Sequence, residues 1–232
     1  MSKPTIYFDL FDTLVKVDRG YLEPYFDRET DRLGDLGKLP DAETTIWRLA
    51  TQTPGIMEHG SIFEMAGYYE AKMKEALMNP PQEVLDMLKQ LKEAGCKLCV
   101  ISDAAPVDIM HWHESPLAQY FDDAVFSCEV GIVKPDAGLY HIAHLKMGKP
   151  TEMLYVGDGG HDELMGAHKF GMVTAKAEWI NNRRLESIYQ YANCRLQSPY
   201  QVLDIVQEME RLSNDKDAYN PEKTEKPLEE VL

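Results

Sequence analysis

The sequence predicts an α/β fold in which helices cover both faces of a doubly wound parallel sheet. Short apolar runs, typical of buried strands, alternate along the chain with segments of helical periodicity. Several of these runs end in polar or acidic residues. A charged segment of helical pattern with no clear strand lies between Val15 and Pro80. It therefore looks like a helical insertion between the first strand and the rest of the sheet.

The individual elements follow from this alternation. The helix after Pro80-Pro81 carries apolar residues at helical spacing and meets a fitting stop at Gly95. Further helices are expected over roughly 106–119, 136–147 and 162–170. The strand candidates cover residues 5–9, 97–101, 124–126, 153–156 and 172–175.

The same pattern suggests domain boundaries. We expect a core made of residues 1–15 and 80–212, with residues 16–79 inserted into it. Residues 213–232 have almost no apolar content until their end, which predicts a mobile tail.

Composition limits the function. The net charge of −15 argues against a broad surface for nucleic acid or anionic membrane, because such polyanions would be repelled. No apolar run approaches the ~20 residues that cross a bilayer, and the first residues lack the layout of a signal peptide. We therefore expect a cytoplasmic protein, and an anionic substrate would need local positive charge in its site.

Polar residues follow three of the predicted strands. Asp9, Ser102 and Asp158 each stand at the carboxyl end of an apolar run, where open parallel sheets form their ligand crevice. The helix after each strand would point free backbone N–H groups into this crevice, which suits a phosphate. Asp9 itself is either a cap of the turn or a nucleophile or metal ligand.

Four motifs in chain order resemble those of the haloacid dehalogenase superfamily, a group of phosphatases, phosphotransferases and dehalogenases. The resemblance covers residues from about Ile6 to Met172, and it implies a Rossmann-like core with a helical cap over residues 16–79. The motifs are Asp9-Leu10-Phe11-Asp12-Thr13, Ser102 after its strand, Lys134-Pro135-Asp136, and Gly157-Asp158 with Asp162.

The resemblance implies a role for each motif residue. It makes Asp9 the nucleophile of an aspartyl-phosphate mechanism and lets Thr13 orient the loop. It makes Ser102 and Lys134 catalytic residues as well, and it assigns phosphate or substrate binding to Ser102, Asp103 and Lys134. It implies Mg²⁺ as cofactor, with Asp9, the Phe11 carbonyl, Asp158 and Asp162 as ligands.

One position departs from the family pattern. Phosphatases of the family usually carry a second Asp two residues after the nucleophile as general acid, and here Phe11 stands there. Asp12 comes one residue late and reaches the site only if a turn begins at Phe11.

Three functions stay open at this point. The first is a Mg²⁺-dependent phosphatase of small substrates whose leaving group needs little protonation. The second is a 2-haloacid dehalogenase, and the third is a weakly active or non-catalytic binding protein. The acidic pair Asp158 and Asp162, together with Asp103, favours the phosphatase. The oligomeric state, monomer or homodimer, is open.

Overall fold

The computed structural model describes residues 3–23, 41–52, 55–181 and 186–218. In this part of the chain six strands form one sheet in the order β3-β2-β1-β4-β5-β6, and every neighbouring pair is parallel. The α/β prediction is therefore confirmed. The strands are β1 Thr5–Phe8, β2 Lys97–Ser102, β3 Asp123–Phe126, β4 Met153–Gly157, β5 Val173–Ala177 and β6 Cys194–Leu196.

The central strand β1 explains the apolar run at the start of the chain. All four of its residues are buried, and Tyr7 pairs in register with Cys99 of β2 and Tyr155 of β4. A strand covered on both faces reads as a continuous apolar run because neither face meets water. Ile6 and Phe8 enter one hydrophobic cluster and Tyr7 enters the other. The two clusters are the two layers of a doubly wound sheet.

Helices separate the strands in sequence. The core helices predicted over 136–147 and 162–170 are found, whereas the one predicted over 106–119 is broken after one turn. Ser115 has an extended backbone, with ψ 139°, because the residue before a proline disfavours helical dihedrals. The helices are α1 Ala42–Gln52, α2 Ile62–Met78, α3 Gln82–Glu93, α4 Pro106–Ile109, α5 Ser127–Val130, α6 Ala137–Lys146, α7 Glu163–Phe170, α8 Glu186–Tyr189 and α9 Gln201–Ala218.

The segment between β1 and β2 is helical where the structure describes it. Helices α1 and α2 lie there, α2 begins with a capping box of Ser61 and Glu64, and these described residues include no strand before Lys97. Residues 24–40 and 53–54 lie outside the description. That residues 16–79 form a separate cap domain stays a prediction.

The C-terminal helix is longer than the sequence suggested. Residues 213–218 belong to α9, and the rest of the segment predicted to be a tail lies outside the described residues. Helix α9 lies beside α3, and Lys3 forms an ion pair of 2.7 Å with Glu210 of α9. Among the described helices, none combines the length and apolar character needed to cross a membrane.

Two helical glycines differ in their surroundings and allow a test of the packing. A Cβ at Gly166 in α7 would lie 2.7 Å from the Tyr140 ring and 2.9 Å from the Pro135 carbonyl oxygen. A Cβ at Gly67 in α2 would meet nothing within 4 Å. We predict that Gly166→Ala lowers the free energy of unfolding by about 1–3 kcal/mol through overpacking. We predict that Gly67→Ala raises it by about 0.5–1 kcal/mol. Urea unfolding measures both, and equal effects would contradict the close approach at Gly166.

Candidate active site

Asp9 follows β1 at the carboxyl edge of the sheet. Its backbone N–H donates to the Val156 carbonyl at 2.9 Å, so the residue continues the ladder before the chain turns. A tight turn follows, closed by a bridge between Phe11 and Val15. The Thr13 hydroxyl in this turn donates to Asp9 Oδ2 at 3.0 Å. The turn therefore fixes the orientation of a buried carboxylate that is 7% exposed.

Lys134 lies between two carboxylates. Its Nζ is 2.5 Å from Asp9 Oδ1 and 2.7 Å from Glu163 Oε2, and its side chain is 2% exposed. Burial alone would lower the pKa of the Lys134 ammonium, but the charges of Asp9 and Glu163 hold that pKa well above its ordinary value. The lysine therefore stays charged.

Glu163 is the other acid that contacts Lys134, and both of its carboxylate oxygens accept hydrogen bonds. Its Oε2 also accepts from the Tyr155 hydroxyl at 2.7 Å, and its Oε1 accepts from the Gly159 N–H at 2.8 Å. A Cβ at Gly157 would lie 2.1 Å from Oε1, so the glycine at the end of β4 makes room for this carboxylate. Burial, followed by the charge of Asp9, raises the pKa of Glu163 to about 7, although Lys134 opposes that shift.

Asp158 completes a group of three buried acids. Its Oδ1 accepts from the Gly160 N–H at 2.9 Å. Asp9, Asp158 and Glu163 each offer an oxygen, and these oxygens lie within 4.8 Å of one another. Carboxylate oxygens at this separation match the ligands that Mg²⁺ takes. This donor set therefore fits a divalent cation.

Other predicted residues lie at the edge of this group. Asp162 is exposed and has a left-handed backbone with φ 52°, and the next residue, Glu163, turns inward instead. The Phe11 side chain is half-buried against the core. The metal-binding roles predicted for Asp162 and the Phe11 carbonyl stay predictions.

Asp103, next to Ser102 of the second motif, contacts the backbone of Lys134 in the third motif. Ser102 is fully buried at the end of β2, and its hydroxyl donates to the Asp103 carbonyl at 3.3 Å. Asp103 accepts from the Lys134 backbone N–H at 2.9 Å through Oδ1, and its Oδ2 lies 3.0 Å from His161 Nδ1. Asp103 therefore fixes the loop that carries Lys134, and its predicted contact with substrate stays a prediction.

Sequence reasoning missed three residues that contact the predicted ones. Glu163 was missed because the fourth motif placed the second acid at Asp162, whereas α7 begins only at Glu163. Trp179 and Asn181 follow β5 at the same edge of the sheet. Trp179 Nε1 donates to the Thr13 carbonyl at 2.8 Å, and Asn181 Nδ2 lies 3.3 Å from both Asp12 Oδ2 and Asp158 Oδ2. The only indication of Trp179 and Asn181 in the sequence was that they follow another predicted strand.

Comparisons with known proteins agree with this architecture. A family model described as haloacid dehalogenase-like hydrolase matches residues 40–177. The solved structure of a dehalogenase superposes with a TM-score of 0.67 at 17% identity, covering 88% of this chain and 97% of that one. At that identity the superposition shows the fold alone.

Curated relatives carry two kinds of activity in their names. A glyceraldehyde 3-phosphate phosphatase of Methanopyrus kandleri is 28% identical over 151 residues, which are 62% of this chain and 63% of the relative. An (S)-2-haloacid dehalogenase of a Pseudomonas species is 33% identical over 105 residues, 44% of this chain and 43% of that one. The matched segment thus spans less than two thirds of either relative.

The raised pKa of Glu163 predicts a pH-dependent stability. A carboxyl group that binds its proton more tightly when folded stabilises the protein most below its unfolded pKa near 4.5, and this contribution is lost as pH rises through about 7. Between pH 5 and 8 in EDTA, the wild type should lose on the order of 2 kcal/mol relative to Glu163→Gln. Urea unfolding at several pH values measures the difference. Parallel pH profiles for the two proteins would show that Glu163 has an ordinary pKa.

Proposed function

Because the chain belongs to the haloacid dehalogenase-like hydrolase family, we propose that it is a Mg²⁺-dependent phosphatase with Asp9 as nucleophile. The observation that carries the proposal is the buried group of Asp9, Asp158 and Glu163, in which Asp9 and Glu163 both contact Lys134. Two lysines, Lys134 and the buried Lys176, act on these three carboxylates, and the negative charge that remains would repel a phosphate dianion. A bound divalent cation would reverse this repulsion.

Asp9 is suited to attack phosphorus. The Thr13 hydroxyl donates to its Oδ2 and the Lys134 ammonium donates to its Oδ1, so the carboxylate has a fixed orientation. One of its oxygens forms a bond to phosphorus while the bond to the leaving oxygen breaks, and the leaving oxygen takes the electron pair. Water then attacks phosphorus, the bond to Asp9 breaks with its electron pair returning to the carboxylate, and the two hydrogens of the water leave on inorganic phosphate as dihydrogen phosphate.

The acidic group would hold the metal. Asp9, Asp158 and Glu163 are the ligands that the geometry supports, and the Phe11 carbonyl and Asp162 are the ligands that the motif resemblance adds. When bound, Mg²⁺ supplies the positive charge that lets an anionic phosphate approach an anionic nucleophile. Ser102 and Lys134 would hydrogen-bond the phosphoryl oxygens, since donors aimed at developing charge stabilise the transition state.

The substrate is a small phosphorylated molecule. The phosphatase relative in Methanopyrus supports this class by its name. Phe11 narrows it, because a phenyl ring cannot protonate a leaving alcohol. We therefore propose phosphates whose leaving group departs as a stable anion, such as acyl, anomeric or anhydride phosphates.

The second candidate is 2-haloacid dehalogenase. Phe11 favours it, since a halide leaves without a proton, and one relative carries that activity in its name. In that reaction an Asp9 oxygen would bond to the carbon that bears the halogen, and the halide would leave with the bonding electrons. The acidic group argues against it, because a haloacid anion would approach three buried carboxylates.

The phosphatase proposal is tested with Asp9→Asn. We expect the wild type to hydrolyse acetyl phosphate and p-nitrophenyl phosphate only with Mg²⁺, and Asp9→Asn to lose roughly 10³-fold or more in kcat. Asp204→Asn, an exposed change on α9, is the matched control and should keep wild-type activity. Phosphate release measures the outcome. Full activity in EDTA would contradict the proposal of a Mg²⁺-dependent phosphatase. Halide release from 2-chloropropionate without metal would establish the second candidate.

The role of Phe11 is tested by restoring the missing acid. Phe11→Asp should raise kcat/KM for alkyl phosphates by roughly 10-fold or more and change that for acetyl phosphate little, because only poor leaving groups need a proton. Phe11→Asn introduces a side chain of the same size as Asp but without an exchangeable proton. It should give no gain in kcat/KM for alkyl phosphates. The measured quantity is the ratio of kcat/KM for alkyl phosphates to kcat/KM for acetyl phosphate. A fall for every substrate would mean that the ring is needed for packing.

A further inference from the structure

Asp12, the second acid of the first motif, lies near the site because of the turn after β1. Its backbone is left-handed with φ 60°, and its N–H donates to the Val15 carbonyl at 2.7 Å. This conformation is uncommon for residues other than glycine, and Asp and Asn adopt it more readily than most. The turn that begins at Phe11 thus brings the Asp12 carboxylate toward the segment after β5.

Asn181 joins this carboxylate to the acidic group. Its Nδ2 lies 3.3 Å from Asp12 Oδ2 and 3.3 Å from Asp158 Oδ2. A side-chain amide nitrogen carries two N–H groups, so one can serve each carboxylate. Two carboxylates this near would otherwise repel each other, and the shared amide offsets that repulsion.

Both carboxylate oxygens of Asp158 accept a hydrogen bond. Oδ1 accepts from the Gly160 N–H at 2.9 Å, and Oδ2 accepts from Asn181. The carboxylate therefore has a fixed orientation before any cation arrives. Partners that orient a metal ligand in this way typically change metal affinity 10- to 100-fold when removed.

The segment that carries Asn181 is itself tied to the turn. The Trp179 indole N–H donates to the Thr13 carbonyl at 2.8 Å, two residues before Asn181 in the chain. Thr13 in turn holds Asp9 through its hydroxyl. The residues after β5 thus contact the turn at two points, one beside Asp9 and one beside Asp158.

We propose that Asp12 and Asn181 are positioning residues that hold Asp158 in the orientation a metal ligand needs, and that Asp12 is not a proton donor. We call the pair the Asp12–Asn181 bridge. The inference rests on the proposed function, since it concerns the metal site of that reaction. It requires from Asp12 only an acceptor oxygen, which an amide supplies as well as a carboxylate does.

Three variants separate positioning from proton transfer. Asp12→Ala and Asn181→Ala remove the bridge, and both should weaken Mg²⁺ binding by roughly 10-fold or more. Asp12→Asn keeps an acceptor oxygen for Asn181, and its Kd for Mg²⁺ and its kcat should stay within about threefold of wild type. The double variant Asp12→Ala/Asn181→Ala should bind Mg²⁺ no more weakly than Asn181→Ala, because Asn181→Ala already removes both hydrogen bonds of the bridge.

Isothermal titration of each full-length protein with Mg²⁺ gives the Kd without any substrate, and thermal unfolding in EDTA shows whether each variant folds. If Asp12→Ala does not fold, Asn181→Ala decides. A wild type that binds no Mg²⁺ overturns the proposed function together with the bridge. A wild type that binds Mg²⁺, with Asn181→Ala of equal Kd, overturns the bridge alone. A loss of kcat in Asp12→Asn at unchanged Kd would make Asp12 a proton donor and also overturn it.

Discussion

The ammonium of Lys134, held between Asp9 and Glu163, is the interaction on which the site depends. It joins the end of β1, the loop after α5 and the first residue of α7. Removing one partner from a buried, hydrogen-bonded ion pair costs about 3–5 kcal/mol, because the remaining charge stays in a poor solvent. Two neighbouring residues accommodate this ion pair. Gly157 leaves space for Glu163, and Asp103 holds the backbone of the lysine itself.

The charge in this group is unbalanced, and the imbalance is informative. Three carboxylates lie near two lysines, Lys134 and Lys176, and N–H and O–H groups of Gly159, Gly160 and Tyr155 donate hydrogen bonds to Asp158 and Glu163. Hydrogen bonds of this kind make buried carboxylates tolerable without removing their charge. The folded chain thus contains an anionic pocket of hard oxygen ligands, which is the ordinary environment of Mg²⁺ in proteins.

Sequence reasoning succeeded where the information was local and failed where it was not. The continuous apolar run identified β1 as a strand buried on both faces, and strand ends brought Asp9 and Asp158 together. Lys134 came from its motif. Glu163 was missed because a left-handed turn through His161 and Asp162 delays the start of α7. Asn181 was missed because it meets Asp12 across 169 residues of chain, which no periodicity reveals.

The turn after β1 has a consequence for position 11. At position 11 the backbone forms the bridge to Val15, whereas the side chain only packs against the core. The bridge to Val15 uses the backbone at position 11, and the hydrogen bond to Asp9 comes from Thr13, so neither contact involves the Phe11 ring. A different side chain at position 11 would therefore stand beside the same Asp9 carboxylate and the same hydrogen bond from Thr13.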